Sequence, residues 1–239
     1  MLASILLIGA SYLFGSLPSA IALARASGLD PRQEKDLHLA LWRKVGKTFG
    51  ALAIFIDFLK GIIPVLVGFG FNLPWVVVTS SGVAAVVGQM WPLFHNFDGE
   101  RGNTIGVAVI ATLALAYEAY LILFFLLPIT IGAAMRFFFT IFSGKEPFAR
   151  RIEFRESTHW VVLSFPVSIF TGFAAAPMLS WCSSQPVEMT LSLLALFLVI
   201  VVRRLTAGLR ADLATTESVA KMVLNRSLFD RSYLGGDKN

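Results

Sequence analysis

The stretch "AIFIDFLKGIIPVLV", residues 53–67, reads as membrane-buried helix except for Asp57 and Lys60 near its centre. An ionised side chain costs about 2.5–3.5 kcal/mol near a bilayer midplane on insertion scales, so such groups are kept where they have polar company. Asp57 and Lys60 are three residues apart and can pair along one helical face. Gly61 beside them lets a neighbouring backbone approach closely. If the helix enters the bilayer near residue 49, Asp57 lies about 12 Å deep at 1.5 Å per residue. It then faces the bundle interior or a water-filled pocket, either as a structural ion pair or as part of a site.

The surrounding chain fits that reading. Of its 239 residues 56% are hydrophobic, with 21 Phe and 5 Trp, and the mean hydropathy is +0.73. That is too apolar for an ordinary soluble domain. The lone Cys182 excludes an internal disulfide framework. The net charge of +5 sits in short clusters between apolar runs, a distribution that anchors helices to anionic lipid headgroups. Membrane lipids are the expected partners, and nucleic acid is not.

Apolar runs of spanning length, about 20 residues, cover 4–24, 49–71, 75–95, 119–142, 159–181 and 188–202. A shorter one, "TIGVAVIATLALA" at 104–116, completes seven, with Tyr117 and Glu118 as a polar turn after it. All basic residues except Lys60 and Arg136 fall in 25–47, 96–103, 143–158 and the tail from 203, whereas 71–74, 117–118 and 182–188 hold none. By the positive-inside rule the N-terminus is outside and the C-terminus cytoplasmic. Six spans would break this alternation. The expected fold is all-α: a polytopic membrane helix bundle of about seven transmembrane helices. Residues 1–203 form its transmembrane domain and 204–239 a cytoplasmic tail. In that tail Val219, Met222 and Val223 share one face of a helix able to lie on the membrane surface. No basic region precedes the first span, so it is expected to stay in the mature protein rather than be cleaved as a signal peptide.

Local motifs are few. "VGKTFG" at 45–50 resembles the end of a nucleotide-binding loop, but position 41 is Leu where that motif needs Gly. "FDGERGNT" at 97–104 places Gly99, Arg101, Gly102 and Asn103 at the start of the short helix. Backbone amides and a cation can hold a phosphate there. His38, His95 and His159 flank spans without metal-ligand spacing, so no metal and no cofactor are expected. Of the three, only His38 lies in the first charged loop, where it could act as a base.

Taken in order, "GSLPSAIA", "DPR" at 30–32, "RKVGK" leading into "IDFLKG", "GQMWPLFHNFDGERG" and "RRLTAG" resemble the bacterial acyl-phosphate-dependent glycerol-3-phosphate acyltransferases of the PlsY type. The likeness is best over 11–115 and returns at 203–208. The resemblance implies a seven-span inner-membrane enzyme that moves an acyl chain from acyl phosphate to glycerol 3-phosphate, giving lysophosphatidate for phospholipid biosynthesis. It places phosphate contacts at Arg43, Arg101, the 99–103 backbone and Lys60, with Asp57 beneath them.

The departures are specific. The family's Gly-Ser-Gly-Asn-x-Gly-x-Thr-Asn-x-x-Arg loop reads "RQEKDLHLALWR" here, keeping only Arg43. Gln89 stands where the family has His. Its Lys-Gly-Gly-Lys-Gly reads "DGERG", adding Asp98 and Glu100 while Arg101 replaces a Lys. Of the last motif Arg204, Leu205, Ala207 and Gly208 remain. The alternative reading is a relative with altered or lost catalysis that binds lipid or assists assembly; a small-solute transporter fits less well, because no inverted repeat is visible. Arg101 is expected to matter for substrate phosphate and His38 to be dispensable as a base.

The topology has a direct check. A cysteine placed at Glu146 should react with a membrane-impermeant thiol reagent only after the cell is opened. Labelling of that cysteine in intact cells would reverse the assignment.

Overall fold

The computed structural model describes residues 1–31, 34, 37–142, 160–207, 209–213 and 218–230. The basic segment 143–158, His159, Gly208 and positions 214–217 lie outside them. All regular structure among the described residues is helical.

Helices α1 (Leu2–Gly15) and α2 (Ser19–Ala26) form one apolar length interrupted at Pro18. Proline lacks an N–H and its ring obstructs the preceding turn, so the helix breaks there and frees carbonyls. A short α3 (Leu37–Ala40) runs into a π-helical turn, Leu41–Val45. Then follow α4 (Lys47–Gly70), α5 (Trp75–Met90), α6 (Asn103–Ala116), α7 (Leu126–Phe142), α8 (Trp160–Cys182), α9 (Val187–Thr206), α10 (Leu209–Leu213) and α11 (Val219–Phe229). A 3-10 stretch, Tyr120–Phe125, leads into α7.

Five described helices are long and apolar enough to cross a membrane: Leu2–Ala26, Lys47–Gly70, Trp75–His95, Ser164–Cys182 and Val187–Thr206. Two shorter apolar helices, Asn103–Ala116 and Tyr120–Met135, stand where sequence places the short span and the one after it. At 14 residues α6 reaches only about 21 Å.

α5 is the axis of the bundle, packed against α1, α4, α6 and α9, while α8 bridges α7 and α9. The main core joins Val78, Ala85, Val86 and Met90 of α5 to Ile105, Val109 and Leu113 of α6, Phe173 of α8 and Leu193, Leu196 and Ile200 of α9. A smaller cluster of Ala20, Ala24, Leu41 and Ala53 seats α2 and the π-helical turn on α4. Leu6, Leu13, Phe55, Leu66, Met178, Trp181, Leu191 and Leu198 are exposed. Large apolar side chains on the outside of a bundle with a sealed apolar core suit lipid as the solvent.

Gly61 is where α4 meets α6. A Cβ there would stand 2.6 Å from the Ile105 carbonyl oxygen and 2.8 Å from Ala108 Cβ, so the helices touch backbone to backbone. Gly61→Ala should therefore destabilise the protein by about 1–3 kcal/mol. Gly70→Ala, with nothing within 4 Å of its added Cβ, should change stability by less than about 0.5 kcal/mol. Thermal unfolding in detergent measures both; equal melting temperatures would remove the close contact from the account.

Candidate functional site

The Pro18 break, α3, α4, the end of α5 and the 91–102 loop meet around one carboxylate. Asp57 and Lys60 are buried, 1% and 2% exposed. Lys60 Nζ donates to Asp57 Oδ1 at 3.0 Å, to Ser19 Oγ at 2.7 Å and to the Leu17 carbonyl at 2.8 Å. Those three contacts match the three protons of an ammonium group. Lys60 thus serves as counter-ion to Asp57 in this arrangement. Leu17 and Ser19 are available because Pro18 interrupts the helix between them.

Asp57 divides its two oxygens. Oδ1 faces Lys60 and accepts from Ser19 Oγ at 3.3 Å. Oδ2 lies 2.9 Å from His38 Nε2 and accepts from Gln89 Nε2 at 2.7 Å. Gln89 Nε2 also donates to Glu100 Oε2 at 3.2 Å, and His38 Nδ1 lies 3.6 Å from the same Glu100 oxygen. His38, expected to be dispensable, is therefore joined directly to the buried acid. Its position depends on α3 folding back over α4, which no pattern in the first loop announces.

The second loop is shaped by its backbone. After α5, Asn96 and Phe97 adopt positive φ, and the chain returns so that the Gly99 and Glu100 amides donate to the Met90 and Gln89 carbonyls at 3.2 and 3.1 Å. Gly102 follows at φ +69°, a left-handed position natural to glycine, and α6 begins at Asn103. Arg203 of α9 clamps the loop, donating to Asp98 Oδ1 at 2.9 Å and to the Gly99 carbonyl. Arg203 went unnoticed in sequence because a basic residue at a span end is ordinary.

The remaining expected residues spread out. Arg43 sits half-buried in the π-helical turn. Arg101 is 63% exposed and pairs with Asp230, just past α11, at 2.8 Å. Asn103 has a buried Oδ1 with no partner among the described residues. α11 packs on α8 and α9, with Arg226 donating to the Arg204 and Ala207 carbonyls at 3.1 and 2.5 Å.

Two recesses adjoin this cluster. A polar cleft is lined by Ser16 to Ile21, Lys60, Gln89, Pro92, His95 and Asp98 to Glu100. An apolar groove between α1, α5 and α9 is lined by Ile8, Tyr12, Val83, Ala84, Val87 and Ala195, with Ser80 and Ser192. Both recesses are bounded by α1 and α5, but they share no lining residue, and Val87 and Gln89, two positions apart, point to different sides of α5.

Apolar helices enclosing a buried acid–base pair beneath glycine-bearing loops define an integral membrane protein with a polar site at one end of the bundle. Residues 5–210 match the family described as glycerol-3-phosphate acyltransferase, and the chain belongs to that family. Over 114 residues it is 36% identical to the glycerol-3-phosphate acyltransferase of Geobacter sulfurreducens, covering 46% of this chain and 58% of that one. Over 108 residues it is 41% identical to that of Legionella pneumophila, covering 43% and 39%. The matched regions thus span well under two thirds of these relatives. In fold it is similar to the crystal structure of PlsY, an integral membrane glycerol 3-phosphate acyltransferase, in its lysophosphatidic acid form. There the TM-score is 0.61 at 22% identity, over 89% of this chain and 92% of the other. The glycerol 3-phosphate form gives 0.60 at 23%.

Removing one partner of the buried pair gives a sharp test. Lys60→Met leaves Asp57 without its cation and should cost about 3–5 kcal/mol of stability. Adding Asp57→Asn should restore most of the melting temperature. A double variant as unstable as the single one would show that lost packing, not the stranded charge, sets the cost.

Proposed function

We propose that this chain is a membrane acyltransferase that moves an acyl chain from acyl phosphate to glycerol 3-phosphate, releasing phosphate and giving lysophosphatidate. The observation that carries this reading is the polar cluster on Asp57 set beneath the glycine-bearing loop that starts α6, in a member of this family. A donor with a phosphate head and an acyl tail needs a polar and an apolar surface. The tail would lie along Val83, Ala84 and Val87 of the groove between α1, α5 and α9.

The chemistry asks little of side chains. Acyl phosphate is already activated, so holding a glycerol hydroxyl against its carbonyl removes much of the barrier. The new bond joins the glycerol oxygen to the acyl carbon as the bond from that carbon to the phosphate oxygen breaks, and the hydroxyl proton leaves with the phosphate. The first intrahelical bond of α6 runs from the Gly106 amide to the Gly102 carbonyl at 2.9 Å. The amides of Asn103, Thr104 and Ile105 thus precede it and can face a phosphate or a developing oxyanion. Gly99 and Gly102 keep that loop close, Arg43 and Arg101 supply cations at its edges, and Asp57 with Lys60 forms the floor.

We place the bundle in the inner membrane with seven spans, the N-terminus outside and the loops bearing Arg43 and Arg101 on the cytoplasmic face. Residues 204–239 form the tail on that face, its helix α11 laid over the ends of α8 and α9.

Purified protein given acyl phosphate and glycerol 3-phosphate should form lysophosphatidate, read by mass spectrometry. Absence of product from folded protein would favour the lipid-binding reading, which the missing Gly, Ser, Thr and Asn donors of the first loop support. Ala84→Trp should shorten the groove and lower kcat/KM for a long acyl donor about tenfold more than for a short one. Two methylenes lost from burial at about 0.8 kcal/mol each account for that factor. Equal effects on both donors would move the acyl chain elsewhere.

A further inference from the structure

The family match ends at residue 210, yet the chain continues into a docked helix. Met222, Asn225 and Arg226 of α11 are buried. Arg226 donates to the Arg204, Leu205 and Ala207 carbonyls at the end of α9. Arg204 in return donates to the Ser227 carbonyl, in the last turn of α11, at 3.0 Å. Each arginine thus satisfies terminal acceptors of the other's helix, which fixes α11 against the end of α9.

That docking decides where α11 stops. Asp230 closes it at φ +56°, its amide bonded to the Arg226 carbonyl at 3.1 Å. A left-handed residue at this point turns the chain off the helix axis. The Asp230 side chain is 12% exposed, and one of its oxygens lies 2.8 Å from Arg101 Nε. Arg204 lies in the field of both Asp230 and Arg101. The carboxylate therefore stands between cations that repel each other, and without it Arg101 is pushed outward.

The loop that starts α6 is in this way tied twice. Arg203 of α9 holds Asp98 and the Gly99 carbonyl, and Asp230 holds Arg101, one residue before Gly102. The first tie lies within the family match; the second reaches in from beyond it. Asp230 meets the Nε edge of a guanidinium that is otherwise well exposed. An arginine fork can take a carboxylate along one edge and a phosphate along another.

We propose that Asp230 is a positioning residue for acyl transfer. It holds Arg101 beside the amides of Asn103, Thr104 and Ile105, so that the phosphate of glycerol 3-phosphate meets cation and amides together. The proposal rests on the acyltransferase reading. Two effects oppose each other here: the carboxylate repels the substrate's phosphate, and it orders a long side chain before the substrate arrives. Repulsion between exposed groups is screened by water and salt, whereas ordering a flexible side chain counts fully against binding. Ordering wins, so the tail favours substrate capture.

Initial rates of the purified full-length protein over a range of glycerol 3-phosphate test this. Asp230→Asn keeps the side chain's shape and tolerates the left-handed backbone. It should raise KM for glycerol 3-phosphate about three- to fivefold, the range open to a partly exposed ion pair, and leave kcat within about twofold. Asp230→Gly, natural at positive φ, should match it, and Asp230→Glu should recover most of the loss. Arg101→Ala should raise KM about tenfold or more, and adding Asp230→Asn to it should change nothing further, because the two residues act as one. An unchanged or lowered KM in both Asp230→Asn and Asp230→Gly overturns the proposal. So do effects that add in the double variant, or a fall in kcat that follows the melting temperature at constant KM. These outcomes presuppose transfer by the unmutated protein and strike Asp230 alone. Unmutated protein that makes no lysophosphatidate overturns the acyltransferase reading and this role with it.

Discussion

A carboxylate held out of water must be given donors, and Asp57 draws four segments of the chain together to supply them. Lys60 comes from its own helix, Ser19 from the far side of the Pro18 break, His38 from α3 and Gln89 from the end of α5. Desolvating such a pair outweighs its mutual attraction unless the remaining lone pairs and protons are also satisfied. The helix break, the fold-back of α3 and the polar residue near the end of α5 are therefore parts of one requirement. An unbroken first helix would keep the Leu17 carbonyl for itself and leave Lys60 an acceptor short.

Arginines repeat this logic at the margins of the site. Arg203, 7% exposed, reaches from α9 to Asp98 and the Gly99 carbonyl and so fixes the loop that starts α6. Arg226 reaches from α11 to the carbonyls of Arg204, Leu205 and Ala207 at the end of α9. There a helix presents unpaired acceptors and the negative end of its dipole. Asp212 neutralises Arg226 in turn. Loop geometry at this end of the bundle is set by the loop's own positive-φ positions together with charge placed on neighbouring helices.

The helices and the buried pair were legible in the sequence because both follow from local quantities: the length of an apolar run and the cost of an ion within it. Gly61 was legible for the same reason. His38 was not, since its importance comes from α3 folding back onto α4, and neither its neighbours nor its spacing encode that. Arg101 shows the converse. Its glycine-flanked setting suggests a phosphate ligand, yet its guanidinium pairs with Asp230 from the far end of the chain. Asp98 and Glu100 could be read as added negative charge, but not as groups with separate partners, Arg203 for one and His38 with Gln89 for the other.

Those partners bear on how the departures from the family pattern arose. Scattered loss of a site leaves buried polar groups stranded, at about 1–3 kcal/mol each. Here the positions that depart from the pattern this sequence resembles meet one another: Gln89 donates to Glu100, and His38 lies against both Glu100 and Asp57. A histidine entering without Glu100 would gain less, and Glu100 without Gln89 or His38 would lose two of its contacts. The changes make physical sense as a set built around an Asp57 that stayed in place. The fixed charge of Asp57 is met by an imidazole, an amide and an ammonium from separate helices.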